Sequence, residues 1–223
     1  VDRLTSIEVE VAGQRVALRG DRSLYWREAE LLAVADLHLG KTESYRRDGV
    51  ALPDGVMYDD LLQLAMAVED TGARRVVVIG DLVHDKQGMT ATVRDALWRW
   101  RQTIPCALDL VVGNHDRRIA ALPAEWDIAV HDPVLELGPF AFSHERPVAH
   151  AYTWLGHRHP VAILRSGHER LRLPCFHVSG SSGILPAFTA FTVGAPIDCA
   201  ADDRVVVAAD GRVWDATRLL ATR

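Results

Sequence analysis

Three apolar runs constrain this chain most: Leu31 to Ala35, Val76 to Ile79 and Leu108 to Val112. Each has the length of a buried strand, and each ends on residues that bind metals or protons rather than on ordinary turn formers alone. The followers read Asp36-Leu37-His38, Gly80-Asp81-Leu82-Val83-His84 and Gly113-Asn114-His115-Asp116. Open α/β sheets build their sites at the carboxyl ends of such strands. Two later segments, Ser143-His144 and Gly156-His157-Arg158-His159, add further imidazoles.

The stretches between the runs supply crossovers. Asp54 is placed to cap a helix running to about Thr71, with apolar Val56, Leu61, Leu62, Leu64, Ala65 and Val68 and with Gly72 at its end. Thr90 is placed to cap a second helix over about Ala91 to Gln102. Strand, helix, strand, helix, strand implies parallel pairing with helical connections. A hairpin turning at Ala12-Gly13 precedes this region. From about Ile128 the chain becomes short strands: Val134 to Leu137, Phe140 to Ser143, Tyr152 to Leu155 and Val161 to Leu164. Asp210-Gly211 reads as a tight hairpin turn. The expected architecture is α/β, two mixed sheets packed face to face with helices outside and the site at one edge. One domain over residues 1–223 is expected.

Composition narrows the setting. The chain has 223 residues, 48% of them hydrophobic and 25% charged, ordinary for a globular domain. No apolar stretch approaches the roughly 20 residues that span a bilayer, and no signal-peptide pattern opens the sequence. Cys106, Cys175 and Cys199 are odd in number and widely spaced, so neither a disulfide framework nor a thiolate zinc site is expected. A reducing cytoplasm is the default location. The net charge of −5 argues against general nucleic-acid binding. Of the 25 basic residues only Lys41 and Lys86 are lysines, and the arginines beside the motifs suit paired hydrogen bonds to phosphate.

Asp36 and His38 lie two apart, so extended backbone would point both side chains the same way, as it would His157 and His159. Carboxylate, imidazole and amide donors without thiolate suit Mn, Fe or Zn in a catalytic rather than a structural site. Asp81 is the natural bridging carboxylate, the one acid directly after its strand. Asn114 adds a neutral oxygen. A lone histidine at a strand end is usually a surface residue, and Gly-Asn is a turn dipeptide. Those readings fail to explain why every strand end of the α/β half carries ligand chemistry.

In this order, the motifs resemble those of the calcineurin-like metallophosphoesterases. The segments Val34 to Lys41, Tyr45-Arg46-Arg47-Asp48-Gly49, Leu52-Pro53, Leu185-Pro186-Ala187-Phe188 and Phe191-Thr192 resemble the bacterial ligase-associated DNA damage response endonucleases. That resemblance implies two divalent ions, manganese first and iron or zinc as alternatives. One would be held by Asp36, His38, Asp81 and His159, the other by Asp81, Asn114, His144 and His157. His144 is preferred to nearby His150 because it directly follows an apolar strand. A hydroxide bridging the ions would attack phosphorus in line. His115 would protonate the leaving oxygen, with Asp116 either orienting it or capping the next segment. His84 would touch phosphate or support a ligand without being one, and Lys41, Arg46 and Arg47 would contact DNA from a loop after the first motif. The implied function is a phosphodiesterase, a DNA endonuclease in repair; the alternative is a phosphatase or phosphodiesterase for a small nucleotide. Functional association with a DNA ligase and a helicase enters through the same resemblance.

Overall fold

A computed structural model describes residues 4–52, 55–119, 122–166 and 169–220. The first sheet holds β1 (Ser6–Val11), β2 (Gln14–Arg19), β3 (Leu24–Trp26), β4 (Leu31–Ala35), β5 (Arg75–Ile79), β6 (Ala107–Val111) and β7 (Ile128–His131), in that spatial order. The pairs from β1 to β4 are antiparallel and those from β4 to β7 parallel. Three helices follow these strands: α1 (Lys41–Arg47), α2 (Val56–Thr71) and α3 (Ala91–Thr103).

The second sheet contains β8 (Val134–Leu137), β9 (Phe140–Ser143), β10 (Tyr152–Leu155), β11 (Pro160–Ser166), β12 (Glu169–Val178), β13 (Ser182–Ile184) and β14 (Ala195–Pro196). Its order is β14-β11-β12-β13-β10-β9-β8, and β15 (Arg204–Ala209) joins β12 to β16 (Arg212–Asp215). A short helix, α4 (Thr217–Leu220), ends the described chain.

Period-two alternation along the parallel strands decides the layering. Ala33, Ala35, Val77, Ile79 and Val111 face inward to Phe140, Phe142, Trp154, Phe176 and Val206 of the second sheet. Their neighbours Leu32, Val34, Val76, Val78, Leu108 and Leu110 face outward to Leu61 and Leu64 of α2 and Val93 and Leu97 of α3. Full burial of each such aliphatic or aromatic side chain contributes about 1.5–3 kcal/mol. The central strands are therefore covered on both faces, which fixes the direction in which their ends emerge.

Local signals behave as their chemistry requires. The Thr90 hydroxyl accepts from the Val93 amide at 3.3 Å and starts α3. Gly72 ends α2 in the left-handed region at φ 66°, its N–H reaching the Val68 carbonyl. The expected cap Asp54, like Pro53, lies outside the described residues. Trp100 is buried and Trp98 exposed, as residues two apart on a helix must be. One expectation needs correction. The segment after the first motif is not a loop: Lys41–Arg47 is α1, one short helix entered from Gly40. Ser179 to Ser181 form the turn joining β12 to β13, tightened by the Ser179 hydroxyl against Ser182.

Candidate metal centre

The parallel strands β4, β5 and β6 deliver their motifs to one edge, where backbone bonds join them. The His38 amide donates to the Asp81 carbonyl at 2.8 Å, and the Asp36 amide to that of Gly80 at 3.2 Å. From the second sheet, β9 ends directly at His144, and β10 leads into the loop bearing His157 and His159. The extended backbone expected at the paired ligands is not what forms. Asp36, His38, Asp81, His157 and His159 all have positive φ, between 44° and 67°. Side chains rarely adopt this conformation outside glycine, and it costs of order 1–3 kcal/mol at each position. The pairs converge because the chain turns sharply at each ligand, which packing of both sheets enforces.

Two glycines permit this crowding. A Cβ on Gly80 would lie 2.1 Å from the His144 ring, and one on Gly113 would lie 2.2 Å from the Asp81 carboxylate. The motif glycines therefore admit the ligands of the neighbouring loops.

The predicted ligands form two groups, Asp36, His38 and His159, and Asp81, His144 and His157, each with atoms mutually within 4.8 Å; His38 also falls in a third such group with His84 and His115. Asp81 stands between the first two. Its Oδ1 accepts from the His115 amide at 2.9 Å, leaving Oδ2 3.4 Å from His144 Nε2 and 3.9 Å from His38 Nε2. In the first group His159 Nε2 lies 3.2 Å from Asp36 Oδ1 and 3.3 Å from His38 Nε2. In the second, Asn114 Oδ1 lies 3.2 Å from His144 Nε2. The outward nitrogens are held: His144 Nδ1 donates to the Ile79 carbonyl at 2.9 Å, and His159 Nδ1 meets the Thr192 hydroxyl at 2.8 Å. Partners of this kind fix the ring and leave the opposite nitrogen's lone pair for a cation.

Electrostatics fit a cation at the same point. Burial drives the His38 pKa down to about 2 despite Asp81, so the ring is neutral, as a ligand must be. Burial would raise Asp81, but the hydrogen bond and charge of His144 hold it near 2. Burial also disfavours the His144 imidazolium, yet Asp81 and Asp36 carry its pKa up to about 9. The acids thus attract positive charge strongly enough to protonate a buried ring. Divalent ions among these oxygens and nitrogens would satisfy the same field. The donor set accommodates such ions, with His144 and not His150 in place; His150 is exposed and pairs with Glu136.

Around this floor stands a rim. His115 Nδ1 hydrogen-bonds the His84 carbonyl, and the His84 ring stacks between His115 and Tyr45, with centroids at 4.9 and 6.0 Å. The expectation that Asp116 orients His115 fails, because its buried carboxylate accepts from the Val83 amide at 3.1 Å and the Gly113 amide at 3.0 Å. Asp116 instead ties the second motif loop to the third. Lys41, Arg46 and Arg47 do not form one exposed patch either. Lys41 points inward across the Phe191 ring at 5.8 Å, its pKa lowered by burial against the opposing charges of Asp36 and Asp81. Arg46 donates to the Leu52 carbonyl at 3.1 Å and lies 3.7 Å from Glu43. Arg47 alone of the three is exposed, Lys41 and Arg46 being half-buried.

Sequence reasoning missed the residues that hold the rim. Arg22 donates to the Thr189 carbonyl at 3.0 Å, and buried Asp60 of α2 bonds the Thr189 hydroxyl and the Ala190 amide. Together they set the segment that brings Thr192 to His159 and Phe191 to Tyr45. The signal available was Phe191-Thr192 itself, a hydroxyl neighbour with no secondary-structure role.

No protein-family model and no curated protein matches the chain. Among solved structures, the Pseudomonas putida nuclease MPE superposes with a TM-score of 0.84 at 33% identity, over 95% of this chain and 100% of that one. Yfce, a phosphoesterase from E. coli, aligns over 79% of this chain and 86% of that one at 13% identity and a TM-score of 0.39. The likeness to MPE spans both sheets and the edge where the motif loops meet. With its sequence motifs and these converging donors, the chain belongs to the calcineurin-like metallophosphoesterase family and is a metal-dependent phosphoesterase.

Proposed function

We propose that this protein is a nuclease that hydrolyses DNA phosphodiesters with two divalent ions, manganese by preference, and acts in DNA repair. The observation that carries this reading is the likeness to a nuclease over the whole of that chain. The donor set of carboxylates, imidazoles and an amide, with no thiolate, suits manganese, iron or zinc, and manganese comes first by the family resemblance. When bound, such ions activate water and neutralise phosphate oxygens.

The chain's own residues do the rest. Asp36, His38, Asp81 and His159 would hold one ion, and Asp81, Asn114, His144 and His157 the other. His115 is the general acid: its Nδ1–H donates a hydrogen bond to the His84 carbonyl, so Nε2 of the imidazolium is the atom that protonates the departing oxygen. Tyr45 and His84 offer stacked rings at the rim on which an unpaired base can rest. Inward-facing Lys41 places a cation beside Asp36 and Asp81, where a bound phosphate would meet it. Association with a DNA ligase and a helicase belongs to the same reading.

The test is cleavage of supercoiled plasmid and linear oligonucleotides with manganese, beside a chromogenic phosphodiester and its monoester. DNA cleavage that a chelator abolishes, with diester preferred over monoester, is expected. Preference for the monoester with no DNA cleavage would instead assign the site to a small phosphoester.

A further inference from the structure

We propose that the arginine face of the β11–β12 hairpin guides the nucleic-acid strand away from the metal centre by binding its phosphates, an inference that rests on the nuclease reading. The two strands pair in antiparallel register, Ile163 opposite Arg172 and Arg165 opposite Arg170. Alternation puts Arg165, Arg170 and Arg172 on one face. Leu164 and Leu173 lie on the other, packed against the small core of Ala162, Cys175, Val205 and Val207. Glu169, the one acid of these two strands, shares the leucine face. Like charges directly opposite on a ladder repel. Yet the Arg165 and Arg170 guanidinium groups have no hydrogen bond or ion pair with any described residue, and both side chains are exposed. The arrangement is unfavourable in the isolated chain and suits an anionic partner with repeated charges, whose phosphates guanidinium groups bind in pairs.

The face connects to the centre through the chain. Arg172 donates to the carbonyls of Val193 and Gly194 at 3.2 Å. The preceding Thr192 holds the His159 ring, and Ala195 pairs with Pro160 at the start of β11. From Pro160 to Arg165 the strand runs about 17 Å at roughly 3.3 Å per residue. That is about five phosphate spacings at 3.4 Å per nucleotide of B-form strand. A very short oligonucleotide therefore cannot reach Arg165 and Arg170 while its cleaved bond sits at the metals, whereas a longer one can.

The experiment compares manganese-loaded wild type, Arg165→Ala/Arg170→Ala and a control with equal charge loss on α3, Arg94→Ala/Arg99→Ala. Substrates are bis(4-nitrophenyl) phosphate, a four-nucleotide DNA and a twenty-nucleotide DNA. The hairpin variant should keep wild-type rates on the small diester and the short DNA. On the long DNA its KM should rise about tenfold, and the slope of log KM against log salt should fall by about 1–2, reflecting the lost phosphate contacts. Arg165→Glu/Arg170→Glu should deepen the effect. Unchanged long-DNA kinetics, an equal effect in the α3 control, or equal losses on the small diester would each overturn the proposal. Failure of wild type to cleave either DNA would instead refute the nuclease reading, and the proposal with it.

Discussion

The floor of the centre and its rim are built on opposite principles. On the floor Asp36, Asp81 and His144 are almost wholly buried, and each has its non-ligand atoms satisfied by backbone or side-chain partners. On the rim Tyr45 and Arg47 are exposed, and the contacts that hold the rim in place come from elsewhere, from Arg22 and Asp60. The floor is over-determined, since left-handed backbone at five donors persists only where packing compels it. The rim is free to vary in charge without disturbing the donors. The donors are thus fixed by the core, and the rim by contacts made outside it.

The sharpest way to break this contrast is at the floor. Asp81→Ala should abolish turnover on every substrate, a loss beyond about 10³-fold, because one carboxylate serves both donor groups. His159→Ala should strip a donor from only one group and retain more metal. Metal content per chain, measured after gel filtration, checks the difference; equal retention in both variants contradicts the shared role of Asp81.

His115→Ala should keep metal yet lose about 10²–10⁴-fold on DNA, the usual worth of general-acid assistance. A nitrophenyl diester, whose leaving group needs less protonation, should lose much less. Equal losses on both substrates would move His115 from proton donor to phosphate positioning.

At the rim, Arg47→Ala should raise KM for DNA a few-fold and leave the small diester alone, with a shallower salt dependence. Arg46→Ala should behave differently, lowering thermal stability through the loop it ties to Leu52. Matching behaviour in the two variants would erase the division drawn between them.

A further effect, on stability rather than turnover, concerns the support beneath the rim. Burial raises the Asp60 pKa from 3.8 to about 6, against the lowering bonds of Thr189 and Ala190. The folded state therefore holds this proton more tightly than the unfolded chain. Stability from Asp60 is fully present below about pH 4 and is lost as pH rises to about 6, by up to about 3 kcal/mol. Asp60→Asn should remove that falling component from the difference in Tm between pH 4 and 7. Parallel pH profiles for wild type and variant would contradict the buried carboxyl.

Much of this was legible in the sequence, for physical reasons. Strands covered on both faces must be continuously apolar, so Leu31 to Ala35 and Val76 to Ile79 announced themselves. Ligands directly after them marked the site's edge, and β-branched crowding did not obscure the helix stripes of α2 and α3. What was hidden depends on contacts between distant segments. The left-handed turns at Asp36 and His159 arise from packing of one sheet on the other, and no local signal marks them. Asp116 chose two amides of neighbouring loops over the ring beside it. β12 was missed because Pro174 interrupts its alternation, although it is the longest strand described. Arg46 read as surface charge because Leu52, its partner, is six residues away across a turn.

The central claim is that one carboxylate, Asp81, joins two metal sites into a single centre. Electron paramagnetic resonance of the manganese-loaded protein tests it most directly, with metal content measured on the same samples. Wild type should bind two ions per chain and show the spectrum of an exchange-coupled pair, and Asp81→Ala should lose that coupling. A single ion, two uncoupled ions, or coupling that survives Asp81→Ala would contradict it.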